Sequence, residues 1–438
     1  MKKIILAFCF LPSVAFAYDD CLSIKNVPSG ELSLQQVIEL GLCRNPTTSA
    51  AYLSSEAARL NKNAGYAEYL PSVSASVSAT KNYQNREWDD WSKGASLSAS
   101  YLIFDFGKRL EDLNTLAATW RATGFDYDES VQNYVYGIIG SYYSLLNANA
   151  DVVTAQALKT AAQTARDTAD KKFKAGAVAR ADVLKADTSL ATRILEVEKA
   201  KNNREIAKGT LLSKLSFSAD QDIKISDMPS DFGKSTENKS IDDLIDQAKK
   251  TRPDLLSATA NREAAWHRRN STFLKNLPSI SATGTVSYNP SPDTYDPANS
   301  RYSGSIGIRA SMPIFAGFAN MYGVRSANAT YERAQAQERA TSDAATLDVF
   351  TAYQNYKTAQ NVLSQTEILL KSATESERVT AGMYKVGRAT MLDWQTAQAD
   401  LADAQKEHNA ARYDLFTKRA AVALAIGDIK SELDKVTK

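Results

Sequence analysis

Four short segments of the chain alternate strictly between apolar and polar side chains. The segments are residues 73–80, 96–103, 280–288 and 306–312. Neighbouring side chains of a β-strand point to opposite faces, so the alternation predicts strands with one apolar face and one face rich in serine and threonine. The strands are expected to pair as two β-hairpins, over residues 72–104 and 279–315.

Each of these segments has about ten residues, the length of a tilted transmembrane strand. A soluble antiparallel sheet with one wet face would give the same alternation, so both interpretations stay open on this pattern alone. Four strands are too few to close a barrel, and open sheet edges are not tolerated in lipid. If the strands cross a membrane, several chains must therefore share one barrel.

The rest of the chain has the composition and period of long helices. Residues 108–174 and 319–385 contain no proline and are rich in Ala, Gln, Glu and Lys. At about 1.5 Å per residue, each run predicts a helix of roughly 100 Å. Return helices are expected over 181–213 and 390–426, and apolar residues of the last one recur at the three-and-four spacing of a coiled coil.

The two halves of the chain are similar to each other. Leu70-Pro71-Ser72 matches Leu277-Pro278-Ser279 at an offset of 207 residues, and Phe173-Lys174-Ala175-Gly176 matches Tyr384-Lys385-Val386-Gly387 at an offset of 211. The match predicts two structural repeats, residues 18–230 and 231–438. Each repeat has a helix, a hairpin, a long helix and a return helix. Residues 18–44, 214–252 and 427–438 are expected to lie at the same level along the helices and are called the equatorial elements.

The N-terminus indicates export from the cytoplasm. Lys2 and Lys3 precede an apolar run that ends in Ala15-Phe16-Ala17, so residues 1–17 are predicted to be a secretory signal peptide. Cys21 and Cys43 would then lie in an oxidising compartment, where a disulfide between them is the first expectation. Two reduced, buried thiols are the alternative.

Composition excludes several other functions. Lys plus Arg number 52 against 50 Asp plus Glu, so the chain has no basic surplus for nucleic acid. No apolar run reaches the roughly 18 residues of a membrane-spanning helix. Two His and three Cys make a metal site improbable, and no cofactor is indicated. His267 and His408 have no nucleophile at motif spacing, so an enzyme is not expected.

These features together resemble the TolC-like outer membrane factors. The duplicated layout, the Leu-Pro-Ser turns, Pro313-Ile314-Phe315-Ala316-Gly317 and the spacing from Tyr384 through Gly387 to Asp393 all fit that family. The resemblance implies an α+β membrane protein that forms a homotrimer in the bacterial outer membrane. Four strands per chain would build a 12-stranded transmembrane β-barrel, continued by a periplasmic α-helical coiled-coil tunnel.

The resemblance also implies a function and partners. Such a channel exports small molecules or proteins in tripartite efflux or type I secretion, and the sequence does not separate the two. Its partners would be outer-membrane lipid, a periplasmic adaptor (membrane fusion) protein and an inner-membrane pump of RND, ABC or MFS type. A soluble periplasmic coiled-coil scaffold without channel activity is the alternative.

Finally, the resemblance assigns roles at the periplasmic aperture. Asp393 matches the aspartate whose copies from the three chains ring the entrance. Thr396 occupies the position at which the family's archetype has a second aspartate, and hence a second ring. Asp182 and Tyr384 match partners that tie neighbouring hairpins together, through a hydrogen bond between phenol and carboxylate. Arg388 lies one place before the position of the family's arginine, which is Ala389 here.

Two further assignments concern the same region. The adaptor-docking turns would include Gly176, Ala177, Val386 and Gly387. The plainer alternative for the two aspartates is that Asp182 and Asp393 only N-cap the return helices.

Overall fold

The computed structural model describes residues 26–28, 30–84, 86–88, 91–227, 240–289 and 302–430. The predicted signal peptide 1–17, Cys21 and the repeat boundary at 230 lie outside the described residues. The helices are α1 (Leu34–Arg44), α2 (Pro46–Gly65), α3 (Lys108–Lys174), α4 (Arg180–Lys214), α5 (Ile241–Thr251), α6 (Pro253–Leu274), α7 (Ala319–Lys385) and α8 (Met391–Ala425). The strands are β1 (Glu31–Leu32), β2 (Ser72–Thr80), β3 (Tyr83–Gln84), β4 (Glu87–Trp88), β5 (Ser92–Phe104), β6 (Lys224–Ile225), β7 (Ser279–Tyr288) and β8 (Tyr302–Ser311).

The chain divides into two compact units. The first consists of Met1–Ala50, Asp128–Arg252 and Asp343–Lys438, and the second of Ala51–Tyr127 and Pro253–Ser342. The second unit contains the large sheet, and the first contains both turns that follow the long helices. Both long helices, α3 and α7, contribute residues to each unit.

The large sheet has four antiparallel strands in the order β2-β5-β7-β8. Pairing of β5 with β7, for example Ala95 opposite Tyr288, joins the two hairpins into one sheet. On one face serine hydroxyls meet across the strands, as in Ser74 and Ser98, whose oxygens are 2.8 Å apart. The other face is apolar and uncovered in the single chain, and Ile306 exposes 92% of its surface.

The long helices coincide with the two runs that lack proline. Helices α3 and α7 each have 67 residues, and the return helices α4 and α8 each have 35. Helix α4 begins one residue before its predicted start, and α8 begins one residue after. Differences of this size are expected at helix ends, where the capping residues decide the boundary. Across the described residues, no helix combines the length and the apolar character needed to cross a membrane.

The first unit has a small core that the sequence pattern did not predict in full. Strands β1 and β6 form a two-stranded parallel pair, and the buried Tyr142 donates its hydroxyl to the carbonyl of Ser226 at 2.6 Å. The polar residues at the end of the expected equatorial element 214–252 form the helix α5, which the sequence analysis does not predict. Its apolar residues Leu244 and Ala248 pack into a cluster with Val349. The helix therefore buries one narrow stripe and leaves its charged face to solvent.

Candidate functional site

One tight turn joins each long helix to its return helix. Each turn contains a glycine whose backbone lies in the left-handed region. Gly176 has φ of 76° and Gly387 has φ of 81°. In the first turn the N–H of Ala177 donates to the carbonyl of Lys172 at 2.8 Å, and the equivalent bond of the second turn is also 2.8 Å. This is the Schellman arrangement, in which glycine avoids the clash that a Cβ would make.

The residues expected at the docking turns lie on the surface of this region. All four are exposed: Gly176, Ala177, Val386 and Gly387. Val386 exposes 71% of its surface although it is apolar. Arg388 is exposed as well, and its backbone N–H closes the second turn on the carbonyl of Met383. The turns therefore present an accessible apolar and basic surface in the single chain.

Asp393 belongs to a capping box at the start of α8. Thr390 is the N-cap, and its side chain accepts a hydrogen bond from the backbone N–H of Asp393 at 3.1 Å. The Asp393 carboxylate accepts in return from the backbone N–H of Thr390 at 2.8 Å and from its hydroxyl at 2.7 Å. The backbone N–H and then the hydroxyl of Thr390 lower the pKa of Asp393, since both stabilise the anion.

Neither aspartate is an N-cap, so that alternative is wrong as stated. Asp393 is the third residue of its helix and supports the cap from there. Asp182 occupies the matching position of α4, but the N-cap there is Ala179, whose methyl group cannot accept a hydrogen bond. Asp182 still places its charge in the first turn, where it interacts favourably with the helix dipole.

Tyr384 is one of the most deeply buried large side chains of the described residues. It exposes 2% of its surface in a cluster with Ala165, Ala169, Ala186, Met391 and Trp394. Its ring centroid is 5.2 Å from that of Trp394, with 36° between the ring planes. The alanines of α3 and α4 allow α7 and α8 to approach closely, so Tyr384 fills the space where all four helices meet.

The expected hydrogen bond between Tyr384 and Asp182 is not made. Within the described part of the chain, the Tyr384 hydroxyl oxygen is buried and has no hydrogen-bond partner. Burial raises the pKa of Tyr384, and the negative charge of Asp182 raises it further. Asp182 is thus a neighbour of the phenol but not its acceptor.

Lys172 makes the contact that the sequence analysis missed. Its Nζ lies 4.4 Å from the centroid of the Tyr384 ring and donates a hydrogen bond to the backbone carbonyl of Tyr384. The only trace of this role in the sequence is a departure from the internal repeat. At the offset of 211, Lys172 matches Met383, so a charge is present in one repeat and absent from the other.

The groove between the two turns has mixed charge. Its charged lining residues are Lys172, Asp182, Lys185 and Lys385. Three ammonium groups thus accompany one carboxylate in each chain.

Two other predicted features can be located in the structure. Cys43 is disulfide-bonded. Its expected partner, Cys21, lies outside the described residues, so the pairing stays a prediction. His267 Nδ1 lies 2.7 Å from Glu111 Oε2, where α6 packs on α3. That contact explains the histidine as part of a helix–helix interface in the second unit.

Comparison with known proteins identifies relatives over most of the chain. The outer membrane efflux protein family matches residues 37–215 and 244–428. Protein CyaE of Bordetella pertussis is 23% identical over 413 residues, covering 92% of this chain and 86% of the relative. Outer membrane protein TolC of Escherichia coli is 22% identical over 415 residues, covering 91% and 83%.

Solved structures give the same result for the fold. The outer membrane protein VceC of Vibrio cholerae superposes with a TM-score of 0.78 at 19% identity, covering 90% of this chain and 96% of that one. The open state of the MtrE outer membrane channel of Neisseria gonorrhoeae gives a TM-score of 0.77 at 18% identity, covering 90% and 89%.

Proposed function

This chain belongs to the outer membrane efflux protein family, and we propose that it is an outer-membrane channel that exports small molecules or proteins from the periplasmic side to the exterior. The observation that carries the proposal is the family match over both halves, together with a sheet whose apolar face is uncovered. The role is transport rather than catalysis. The chain works at the outer membrane and extends into the periplasm.

The sheet supports assembly of a shared barrel. Its outer strands, β2 and β8, have no neighbour beyond them among the described strands. Such edges would leave backbone groups unpaired in lipid, at a cost of several kcal/mol for each group. We propose that three chains pair edge to edge into a 12-stranded barrel, with the face of Val77 and Ile306 toward lipid and the serine face toward water.

The helical part supports a periplasmic tunnel. The two long helices α3 and α7 and their return helices α4 and α8 make four helices in each chain, so a homotrimer would have 12. The two structural repeats, 18–230 and 231–438, would then place equivalent hairpins alternately around the ring. The exposed turns at Gly176 and Gly387 would meet a periplasmic adaptor protein, which links the channel to an inner-membrane pump of RND, ABC or MFS type.

The same turns would form the periplasmic aperture. Asp393 and Arg388 are exposed beside the second turn, and Asp182 lies beside the first. Three copies of Asp393 around a narrow opening would raise the local negative potential and favour cations. Tyr384 would act from inside the wall, by fixing how the hairpins pack, rather than through a hydrogen bond to Asp182.

A planar-bilayer recording tests this function directly. Detergent-purified mature protein, added to one side of the bilayer, should insert and give discrete conductance steps. The steps should change when the protein is added from the other side, because the channel then inserts in the opposite orientation. A denatured sample at the same detergent concentration is the control. Protein that is folded by circular dichroism but never conducts would contradict the channel.

A further inference from the structure

We propose that Lys172 clamps the two turn regions of one chain together, and that the boundary between neighbouring chains has no such clamp. The inference rests on the proposed trimeric channel. It predicts that the two hairpins of each chain, α3–α4 and α7–α8, move as one body in the first step of opening. Opening of the aperture would then begin between chains rather than within them.

The clamp consists of two contacts made by one cation. Helix α7 ends at Lys385, and the Tyr384 carbonyl, one of the last of the helix, accepts from the backbone N–H of Gly387 in the turn at 3.1 Å and has room for a second donor. Lys172, from α3, donates to this carbonyl at the negative end of the α7 dipole. Its ammonium also lies over the Tyr384 ring at 4.4 Å, in cation–π geometry.

One further hydrogen bond joins the same two hairpins. The side-chain amide of Gln395, on α8, donates to the backbone carbonyl of Lys185, on α4, at 2.9 Å. Within the second hairpin, the Trp394 ring lies 5.2 Å from that of Tyr384 and donates its Nε1–H to Glu377 at 2.8 Å, which holds the ring that supports the tyrosine. Separating the hairpins of one chain would therefore break the bonds of Gln395 and Lys172 and expose a tyrosine that is now almost fully buried.

The internal repeat indicates which residues would meet at the boundary between neighbouring chains. At the offset of 211, Lys172 matches Met383 and Tyr384 matches Phe173. In a ring of alternating hairpins, α7–α8 of one chain would thus present Met383 to Phe173 of the next chain. Both side chains are 41% exposed in the single chain, as expected of residues that a neighbouring chain would cover in the trimer. A methionine can contact the aromatic ring but cannot donate a charge-assisted hydrogen bond.

The difference between the two boundaries sets the order of opening. Within a chain, the Lys172 ammonium donates to the Tyr384 carbonyl near the end of α7 and lies over the buried ring of the same tyrosine. Between chains, the matching contact has only apolar atoms and a thioether. Because both boundaries must yield for a full opening, the weaker one between chains should separate first.

Single-channel recording of charge variants tests the clamp. Lys172→Met removes the ammonium and keeps the length of the side chain, and Lys171→Met makes the same change at the exposed neighbouring residue. Loss of a hydrogen bond to a charged group should raise the ratio of open to closed time by about tenfold or more in Lys172→Met. Lys171→Met should match the wild type, and Lys172→Arg should restore closure because it keeps the charge.

The outcomes separate the clamp from the channel itself. If the wild type conducts and Lys172→Met behaves like Lys171→Met, the clamp is wrong and the channel stands. If the wild type does not conduct, the channel proposal fails.

A cross-linking experiment tests the asymmetry even if Lys172→Met does not assemble. The double variant Phe173→Cys/Met383→Cys should form disulfides between chains, seen as a ladder of covalent dimers and trimers on a non-reducing gel. Each single variant is the control for random oxidation. An oxidised double variant that stays monomeric on the gel, from protein that still conducts, would overturn the proposed boundary.

Discussion

Arg109 and Asp105 form an ion pair where β5 passes into α3, with 3.1 Å between Nε and Oδ2 and both side chains less than a tenth exposed. Arg109 also donates to the carbonyl of Leu102 at 2.8 Å and to that of Glu68 at 3.2 Å. With a third, longer bond to the carbonyl of Ile103 at 3.4 Å, one guanidinium satisfies a buried carboxylate and three backbone carbonyls at the junction of strand and helix.

Replacing Arg109 should therefore destabilise this junction. Arg109→Met leaves Asp105 buried without its partner, and we expect a loss of about 3 kcal/mol in the free energy of unfolding. Lys108→Met is the matched control, because its pair with Asp112 is more exposed and should contribute about 1 kcal/mol or less. Thermal unfolding followed by circular dichroism measures both. Equal midpoints for the two variants would mean that the buried pair does not hold the junction.

The two return helices should respond in opposite ways to changes at their N-caps. Thr390→Ala removes the N-cap of α8 and should cost about 1 kcal/mol, whereas Ala179→Ser supplies the cap that α4 lacks and should gain about 0.5 kcal/mol or more. The backbone of Ala179 already has the extended conformation of an N-cap, with φ of −75° and ψ of 153°. Chemical denaturation compares the two variants with the wild type. Destabilisation by Ala179→Ser would show that the turn has no room for a hydroxyl.

Removing the hydroxyl of Tyr384 should be harmless to folding. Because the oxygen is buried without a partner in the described residues, Tyr384→Phe should change the free energy of unfolding by less than about 0.5 kcal/mol or increase it. Tyr384→Ala should cost about 3–5 kcal/mol, since it opens a cavity between four helices. A loss above about 1 kcal/mol in Tyr384→Phe would indicate that the hydroxyl does have an acceptor, with Asp182 the first to examine.

Asp393 should give the aperture its preference for cations. Asp393→Asn keeps the shape of the capping box but removes the charge, so the reversal potential in a potassium chloride gradient should move toward zero. Asp403→Asn, an exposed residue further along the same helix, is the control. A reversal potential that is unchanged in Asp393→Asn would place the selective charge elsewhere.

The pH dependence of this preference follows from the capping box. The hydrogen bonds from Thr390 lower the pKa of Asp393, so the carboxylate stays charged below the usual range of an aspartate. Its contribution to stability is likewise present above the unfolded pKa and is lost as pH falls through the lower, folded pKa. Cation preference should therefore persist through mildly acidic solution and disappear only at strongly acidic pH. Thr390→Ala should shift that loss to higher pH.

The elements of the fold could be predicted wherever a long periodic pattern specifies them. The runs without proline match α3 and α7 at both ends, and the alternation of serine with apolar residues marks the strands of the large sheet. Strands β1 and β6 were missed because two residues each are too few to show a period. Helix α5 was not predicted, because most of its 11 residues are polar and only the spacing of Leu244 and Ala248 indicates a buried face.

The site was only partly predictable, because contacts between distant residues do not follow from local spacing. The turns at Gly176 and Gly387 follow from glycine and its neighbours, and Asp393 follows from its distance to the turn. The pairing of Tyr384 with Lys172 depends on how two helices of different repeats pack, which no local pattern states. The same holds for Arg109 and Asp105, whose counterparts in the second repeat are Asn320 and Ala316.

The central claim, that three chains share one channel, is tested most directly by native mass spectrometry of the mature protein released from a mild detergent. The account predicts a single dominant species with three times the mass of the mature chain, and strand content by circular dichroism that is lost when the trimer dissociates. A monomer that keeps its full strand content in the same detergent would contradict it, because four strands would then be stable without neighbours to cover their edges.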